Sequence, residues 1–238
     1  MESPLHPRLA PLVAFLQARL SPAGYLGLHL TLGALVLLGA GWLFGGIAED
    51  VVSGDPLTLV DLDVAGWFHA HAVPAVTSAM LVITNMNGTV GISVAALVLA
   101  IFLARRRDGY WLLALVLAVP GGMLLNVLMK HAFARARPSF ADPILTLETF
   151  SFPSGHAAAA TLFYGFLAAF LVSETTAWRS RVLVILSAFV LIVLVAFSRV
   201  YLGVHYLSDV LAGMAEGVAW LAICLTAVNT LRLWPGSR

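Results

Sequence analysis

Along the chain, apolar residues gather in long blocks separated by short polar breaks. Charge-poor stretches fall at about 27 to 48, 88 to 104, 110 to 130, 157 to 173, 182 to 198 and 208 to 230. A helix needs about 20 such residues, and at the least about 17, to cross the roughly 30 Å hydrocarbon layer of a bilayer, so the pattern predicts six transmembrane helices. A shorter apolar stretch at about 73 to 86, VPAVTSAMLVITNM, closes on Asn85, Asn87 and Gly88. It reaches only about 20 Å at the helical rise, which predicts an interfacial or half-span helix. The fold class is therefore an all-α, polytopic membrane helical bundle, six transmembrane helices plus that short element. Pro120-Gly121-Gly122 inside the third span predicts a kink or close helix packing.

The apolar stretch at 9 to 16, LAPLVAFL, lacks a small-residue cleavage pattern and reads as a short interfacial helix that stays attached. The domain reading is thus a cytoplasmic N-terminal segment at 1–26, one membrane-embedded domain at 27–230 and a short cytoplasmic tail at 231–238.

Composition agrees with this solvent. Hydrophobic residues make up 61% and charged residues 11%, with a mean hydropathy of +0.95, against roughly half apolar and a quarter charged in soluble domains. A formal net charge of +1 and no basic tract beyond Arg105-Arg106-Arg107 argue against nucleic acid as a partner. Nothing in the sequence points to an obligatory protein partner. The single cysteine, Cys224, lies in an apolar run, so it forms no intrachain disulfide and is read as a small buried apolar side chain.

Six crossings place both termini and the loops at 105 to 109 and 174 to 181 on one side. That side holds Arg8, Arg19, Arg105, Arg106, Arg107, Arg179, Arg181, Arg232 and Arg238, nine of the 13 basic residues, and should face the cytoplasm. Lys130, Arg135, Arg137 and Arg199 remain on the opposite side with the acidic residues Glu49, Asp50, Asp55, Asp61 and Asp63. Most of these outward cations lie near His156, His205 and Asp209 at helix ends, so the charges that defy the rule point to chemistry at that face.

Three blocks carry it. In KHAFARARP, Lys130 and Arg137 are seven residues apart and share a helical face if the helix runs on to Pro138. Two cations on one stripe can clamp a phosphoryl group, although a basic helix boundary reads the same way in isolation. In FPSGH, Phe152 to His156, Pro, Ser and Gly at a helix start leave N–H groups and the positive dipole end free for an anion. Ser154 is the expected cap, and His156 can serve as a general acid at its mouth. The other reading of this block is an ordinary capped helix start. In SRVYLGVHYLSD, His205 and Asp209 are four residues apart, one helical turn if the last span begins early enough. A carboxylate bonded to one imidazole nitrogen leaves the other unprotonated, as a nucleophile requires. Arg199 adds a third cation, and a surface His–Asp pair is the alternative.

In order, the blocks read K-x6-RP, PSGH and SR-x5-H-x3-D, and over roughly residues 88 to 230 the chain resembles the type 2 phosphatidic acid phosphatase family. The resemblance implies a membrane enzyme in which His205 attacks phosphorus, Asp209 orients it and His156 protonates the departing oxygen. Lys130, Arg137 and Arg199, with Ser154 and the Gly155 backbone N–H, would hold the nonbridging oxygens. It implies no metal ion and no cofactor, the cations taking that role. The substrate would be a membrane lipid phosphate, first undecaprenyl diphosphate, with phosphatidylglycerophosphate and phosphatidate as alternatives. The setting would be a bacterial inner membrane, with the site at its periplasmic or outer face. A lipid phosphotransferase of the lipid A-modifying type is the runner-up, ahead of a vanadate-dependent oxidant and a non-enzymatic transporter.

The remaining polar residues have plainer readings. Arg135 is read as a solvated or headgroup-binding cation, His131 as interfacial, and His29, His69 and His71 as interfacial or packing residues. Glu216, inside the last span, is either functional or satisfied by an interhelical hydrogen bond.

Overall fold

The computed structural model describes residues 27–234 and, ahead of them, Phe15, Gln17, Arg19 and Ser21. Most of the helix expected at 9 to 16, together with Arg8 and Arg238, lies outside the described residues. In chain order the helices are α1 (Leu28–Ser53), α2 (Pro56–Ala70), α3 (Pro74–Met86), α4 (Thr89–Arg105), α5 (Gly109–Phe133), α6 (Gly155–Glu174), α7 (Trp178–Tyr201) and α8 (Leu207–Leu233).

Local chemistry sets several of the boundaries. Gly54, with φ 76°, ends α1 in the left-handed region that glycine enters without steric cost. Pro56 and Pro74 open α2 and α3, where a missing N–H breaks no helical bond. Asp108 caps α5 by accepting from the backbone N–H of Trp111 at 3.4 Å.

Helix α2 runs through the acidic segment, where the hydropathy pattern predicted no element. Asp61 and Asp63 interrupt its hydropathy, so no charge-poor run shows in the sequence. Yet Leu57, Val64, Ala65 and Phe68 pack inward, and Asp61 itself is fully buried.

Five helices, α1 and α5 to α8, are long and apolar enough to cross a membrane, and α2 with α3 would pass as a sixth were they not bent by 119°. The ends of the elements decide otherwise. At one end of the bundle His29 on α1 meets Thr230 on α8 at 3.1 Å, and Arg106, just past α4, pairs with Glu174 on α6 at 2.8 Å. At the other end α2 and α3 pack on residues 197 to 204, so the bent pair stays there. The sixth crossing is α4, whose 17 residues reach roughly 25 Å. That agrees with six spans plus a shorter element.

At the centre lies α6, whose Ala157 to Ala160 are all buried, with Phe166 and Phe170 edge-on to Trp111. Its closeness to α8 depends on two glycines. A Cβ at Gly213 would stand 2.5 Å from the Ser154 carbonyl oxygen, and one at Gly217 would stand 2.8 Å from Thr161 Cβ. Small residues here let two backbones touch, as membrane helices require where apolar burial gives no net drive. Within α5, Gly121 and Gly122 likewise admit Trp220 and Leu162, so the Pro120 segment serves close packing. Leu38, Trp42, Leu183 and Phe189 lie exposed on the outer faces of α1 and α7, a surface suited to lipid.

Candidate active site

The polar residues singled out in the sequence collect at the end of the bundle that holds α2 and α3. Helix α5 ends earlier than the seven-residue spacing suggested, because Ala134 turns into the left-handed region at φ 47°. Arg137 therefore arrives on an extended segment and not on the helical stripe of Lys130. That segment is tied back where the Ser151 N–H donates to the Arg135 carbonyl at 2.8 Å. Lys130 and Arg137 converge all the same: Lys130 Nζ donates to the carbonyls of Phe150 (2.7 Å) and Ser151 (3.3 Å), and Arg137 donates to those of Thr149, Phe150 and Val204.

The FPSGH block joins α8 through the backbone, since the Ser154 N–H donates to the Asp209 carbonyl at 2.9 Å. Ser154 occupies the N-cap position of α6, but its hydroxyl makes no capping bond and is buried without a hydrogen-bond partner among the described residues. Gly155 leaves space for the Asn126 amide, whose oxygen would lie 3.1 Å from a Cβ there. His156 points its Nε2 toward Gly88 at the start of α4.

His205 precedes α8 and does not sit within it, Tyr206 being the N-cap. The pairing survives because Asp209, in the first turn, reaches back: its Oδ2 lies 3.3 Å from His205 Nδ1 and accepts the Tyr206 N–H at 2.8 Å and the Ser151 hydroxyl. One carboxylate thus caps the helix and holds the imidazole. On the far side of the ring, Arg137 Nη1 donates to His205 Nε2 at 3.1 Å. A guanidinium can only donate, so Nε2 carries the lone pair and Nδ1 the proton. Burial pushes the imidazole down from its ordinary 6.5 to about 3, partly opposed by the bond and charge of Asp209. At neutral pH it is an uncharged base whose lone pair faces the cations.

Arg199, 1% exposed, donates to the Thr84 hydroxyl of α3, and its Nε has no partner among the described residues. A buried guanidinium with a spare N–H, beside a second arginine and a lysine, is suited to oxygens of a phosphoryl group. Among the described residues no group of three or more His, Cys, Asp and Glu side chains could hold a metal ion.

Arg135 is not solvated. It bridges two fully buried carboxylates, Asp61 at 2.8 Å and Asp209 at 2.7 Å, and is itself only 14% exposed. Thr84, Ser151 and Asp61 are contacts that sequence reasoning missed, and only the acidity of the 49–63 segment hinted at the last. His131 is exposed beside Phe150, while His29 and His69 make packing contacts and His71 stacks on Trp67. Glu216 accepts from Asn126 Nδ2 at 2.8 Å through one oxygen, and its other oxygen is unpartnered among the described residues.

The PAP2 superfamily model matches residues 109–233, just over half of the chain and all three motif blocks. The chain belongs to the PAP2 superfamily. Within it, this chain is 40% identical over 118 residues to phosphatidylglycerophosphatase B of Bacillus subtilis (strain 168), covering 49% of this chain and 56% of that protein. It is 34% identical over 146 residues to undecaprenyl-diphosphatase of Sulfolobus acidocaldarius, covering 59% and 64%. The matches therefore span somewhat under two thirds of these curated relatives. The crystal structure of a transmembrane PAP2 type phosphatidylglycerolphosphate phosphatase from Bacillus subtilis superposes with a TM-score of 0.74 at 27% identity, over 84% of this chain and 98% of that one. The PAP2 helical arrangement thus includes α1 to α4 at least in large part, beyond the region the family model matches.

Proposed function

We propose that this PAP2 protein is an integral membrane phosphatase that hydrolyses a lipid phosphomonoester or diphosphate through a phosphohistidine on His205. What carries the reading is the His205 tautomer, a neutral ring held at Nδ1 by Asp209 with its basic Nε2 turned toward Arg137. On substrate binding Arg137 transfers its bond from Nε2 to a phosphoryl oxygen. Nε2 attacks phosphorus, the bond from phosphorus to the lipid oxygen breaks, and its electron pair leaves on that oxygen, which takes a proton from His156. Water then attacks the phosphohistidine and gives a proton to His156, the P–N bond breaks, and inorganic phosphate departs. Lys130, Arg137 and Arg199, with Ser154 and the Gly155 N–H, stabilise the charge that spreads over the phosphoryl oxygens. No step requires a metal ion.

Residues 27–230 act as one membrane domain. A lipid tail in the bilayer and a headgroup at the helix ends suit the site's position, and the relatives' activities favour undecaprenyl diphosphate or phosphatidylglycerophosphate. Phosphate release by the purified protein across a panel of lipid monophosphates and diphosphates is the direct test. Release from at least one, continuing in excess EDTA, is expected, and no release from any would end the reading.

In this proposal the site end faces the outside of a bacterial inner membrane and the chain's ends the cytoplasm, a reading that the arginine distribution supports. Leu147, 39% exposed in the loop over the site, is a suitable reporter, and Cys224 is buried. A Leu147→Cys variant should react with an impermeant thiol reagent added to intact spheroplasts. Reaction only after the membrane is opened would reverse the orientation.

A further inference from the structure

Helix α2 lies outside the region matched by the family model, yet it delivers a carboxylate to the neighbourhood of His205. Asp61 is fully buried. Its Oδ1 accepts the Ser208 backbone N–H at 2.9 Å, and its Oδ2 accepts from the Ser208 hydroxyl and, at 2.8 Å, from Arg135 Nη2. The other arm of the guanidinium, Nη1, donates to Asp209 Oδ1 and to Ser208 Oγ, each at 2.7 Å, and the cation lies 4.3 Å from the centre of the Tyr206 ring. Asp209 is thereby divided. Oδ1 belongs to Arg135, and Oδ2 remains for His205, Ser151 and the Tyr206 N–H.

We infer that Asp61 and Arg135 form a positioning pair for the nucleophile: Asp61 anchors Arg135, and Arg135 fixes the charge and orientation of Asp209 against His205. The inference rests on the phosphohistidine reading above. Its physical basis is that two carboxylates, both shielded from water, share one cation. Burial opposes the charge on Arg135, but Asp209 and Asp61 outweigh it and hold the guanidinium above its ordinary value. Without the cation, two like charges that had shared it repel each other out of reach of water. Asp209, whose Oδ1 has then lost the Arg135 bond, is pushed by that repulsion away from its place beside His205. His205 then loses the negative partner that orients it and would steady the ring once phosphorylated.

This predicts a reversal that simple loss of packing does not produce. Arg135→Gln should lower kcat about 100-fold, and Asp61→Asn about 10-fold, the range typical of groups that act through a neighbour of the reacting atoms. KM should stay within about two-fold in both, since neither residue touches substrate. The double variant Asp61→Asn/Arg135→Gln has one carboxylate and no such repulsion. It should be about 10-fold more active than Arg135→Gln alone, whereas independent structural damage would make it the worst of the three. A double variant at or below Arg135→Gln overturns the inference. If Arg135→Gln does not fold in detergent, Asp61→Asn decides by itself: a kcat within about two-fold of the native protein also overturns it. Loss of phosphate release in His205→Ala, measured alongside, separates the two claims. If that variant keeps its activity, the phosphohistidine reading has failed and not only the role of Asp61.

Discussion

Replacing His205 with alanine is expected to lower kcat by about 10⁴-fold or more while leaving the protein folded, the scale seen when a nucleophile is removed from a preorganised site. The geometry explains why so much rests on one ring. On the proposed mechanism the nucleophile must be neutral, aimed and desolvated, and two contacts and burial would achieve this together at His205. Asp209 fixes the proton on Nδ1, the Arg137 contact marks Nε2 as the lone-pair side, and burial keeps the ring uncharged down to about pH 3. No neighbour can take its place, because His156 lies across the site at the start of α6 with no carboxylate bonded to it among the described residues. Rapid-quench labelling with a ³²P lipid should trap acid-labile, base-stable phosphate on the native protein and none on His205→Ala. Equal labelling of both would move the nucleophile elsewhere.

Arg199→Met is expected to cost about 10³-fold in kcat/KM, in the range for removing a charged donor from a phosphoryl-transfer site. It should do so without lowering the unfolding temperature. Arg199 is 1% exposed, bonded to the Thr84 hydroxyl, and has an unsatisfied Nε. A guanidinium held so far from water, without a carboxylate of its own within salt-bridge distance among the described residues, is costly to the empty fold. Methionine has a similar reach and no charge to desolvate, so the variant should unfold at the same temperature as the native protein or higher. Activity near the native level would remove Arg199 from the phosphate-binding set. A large fall in unfolding temperature would make its role structural. Arg199→Lys should recover only part of the activity, because an ammonium cannot present the planar fork.

Much of this protein could be read along the chain. Bilayer thickness imposes a length on every apolar run, so the six crossings, the short element before the second and the end of the bundle that carries the charges follow from hydropathy and arginine placement. The ordered K-x6-RP, PSGH and SR-x5-H-x3-D blocks carried the family, and all three lie within the residues that the PAP2 model matches. Local spacing was less secure wherever a helix boundary entered. Lys130 and Arg137 converge although α5 stops at Phe133, and His205 meets Asp209 from outside α8.

Only the tertiary structure decided the partners of the buried charges. Asp61 and Arg135 are 74 residues apart, and Thr84 and Arg199 are 115 apart. No periodicity links residues on different elements, so neither pair has a signature in a single sequence. Hydropathy even argued against α2, since its acids look like a solvated loop until Arg135 and Ser208 are seen to satisfy Asp61. Desolvation explains the difference. A charge is affordable inside a bundle only where another part of the chain answers it, and that answer exists only once the helices have packed.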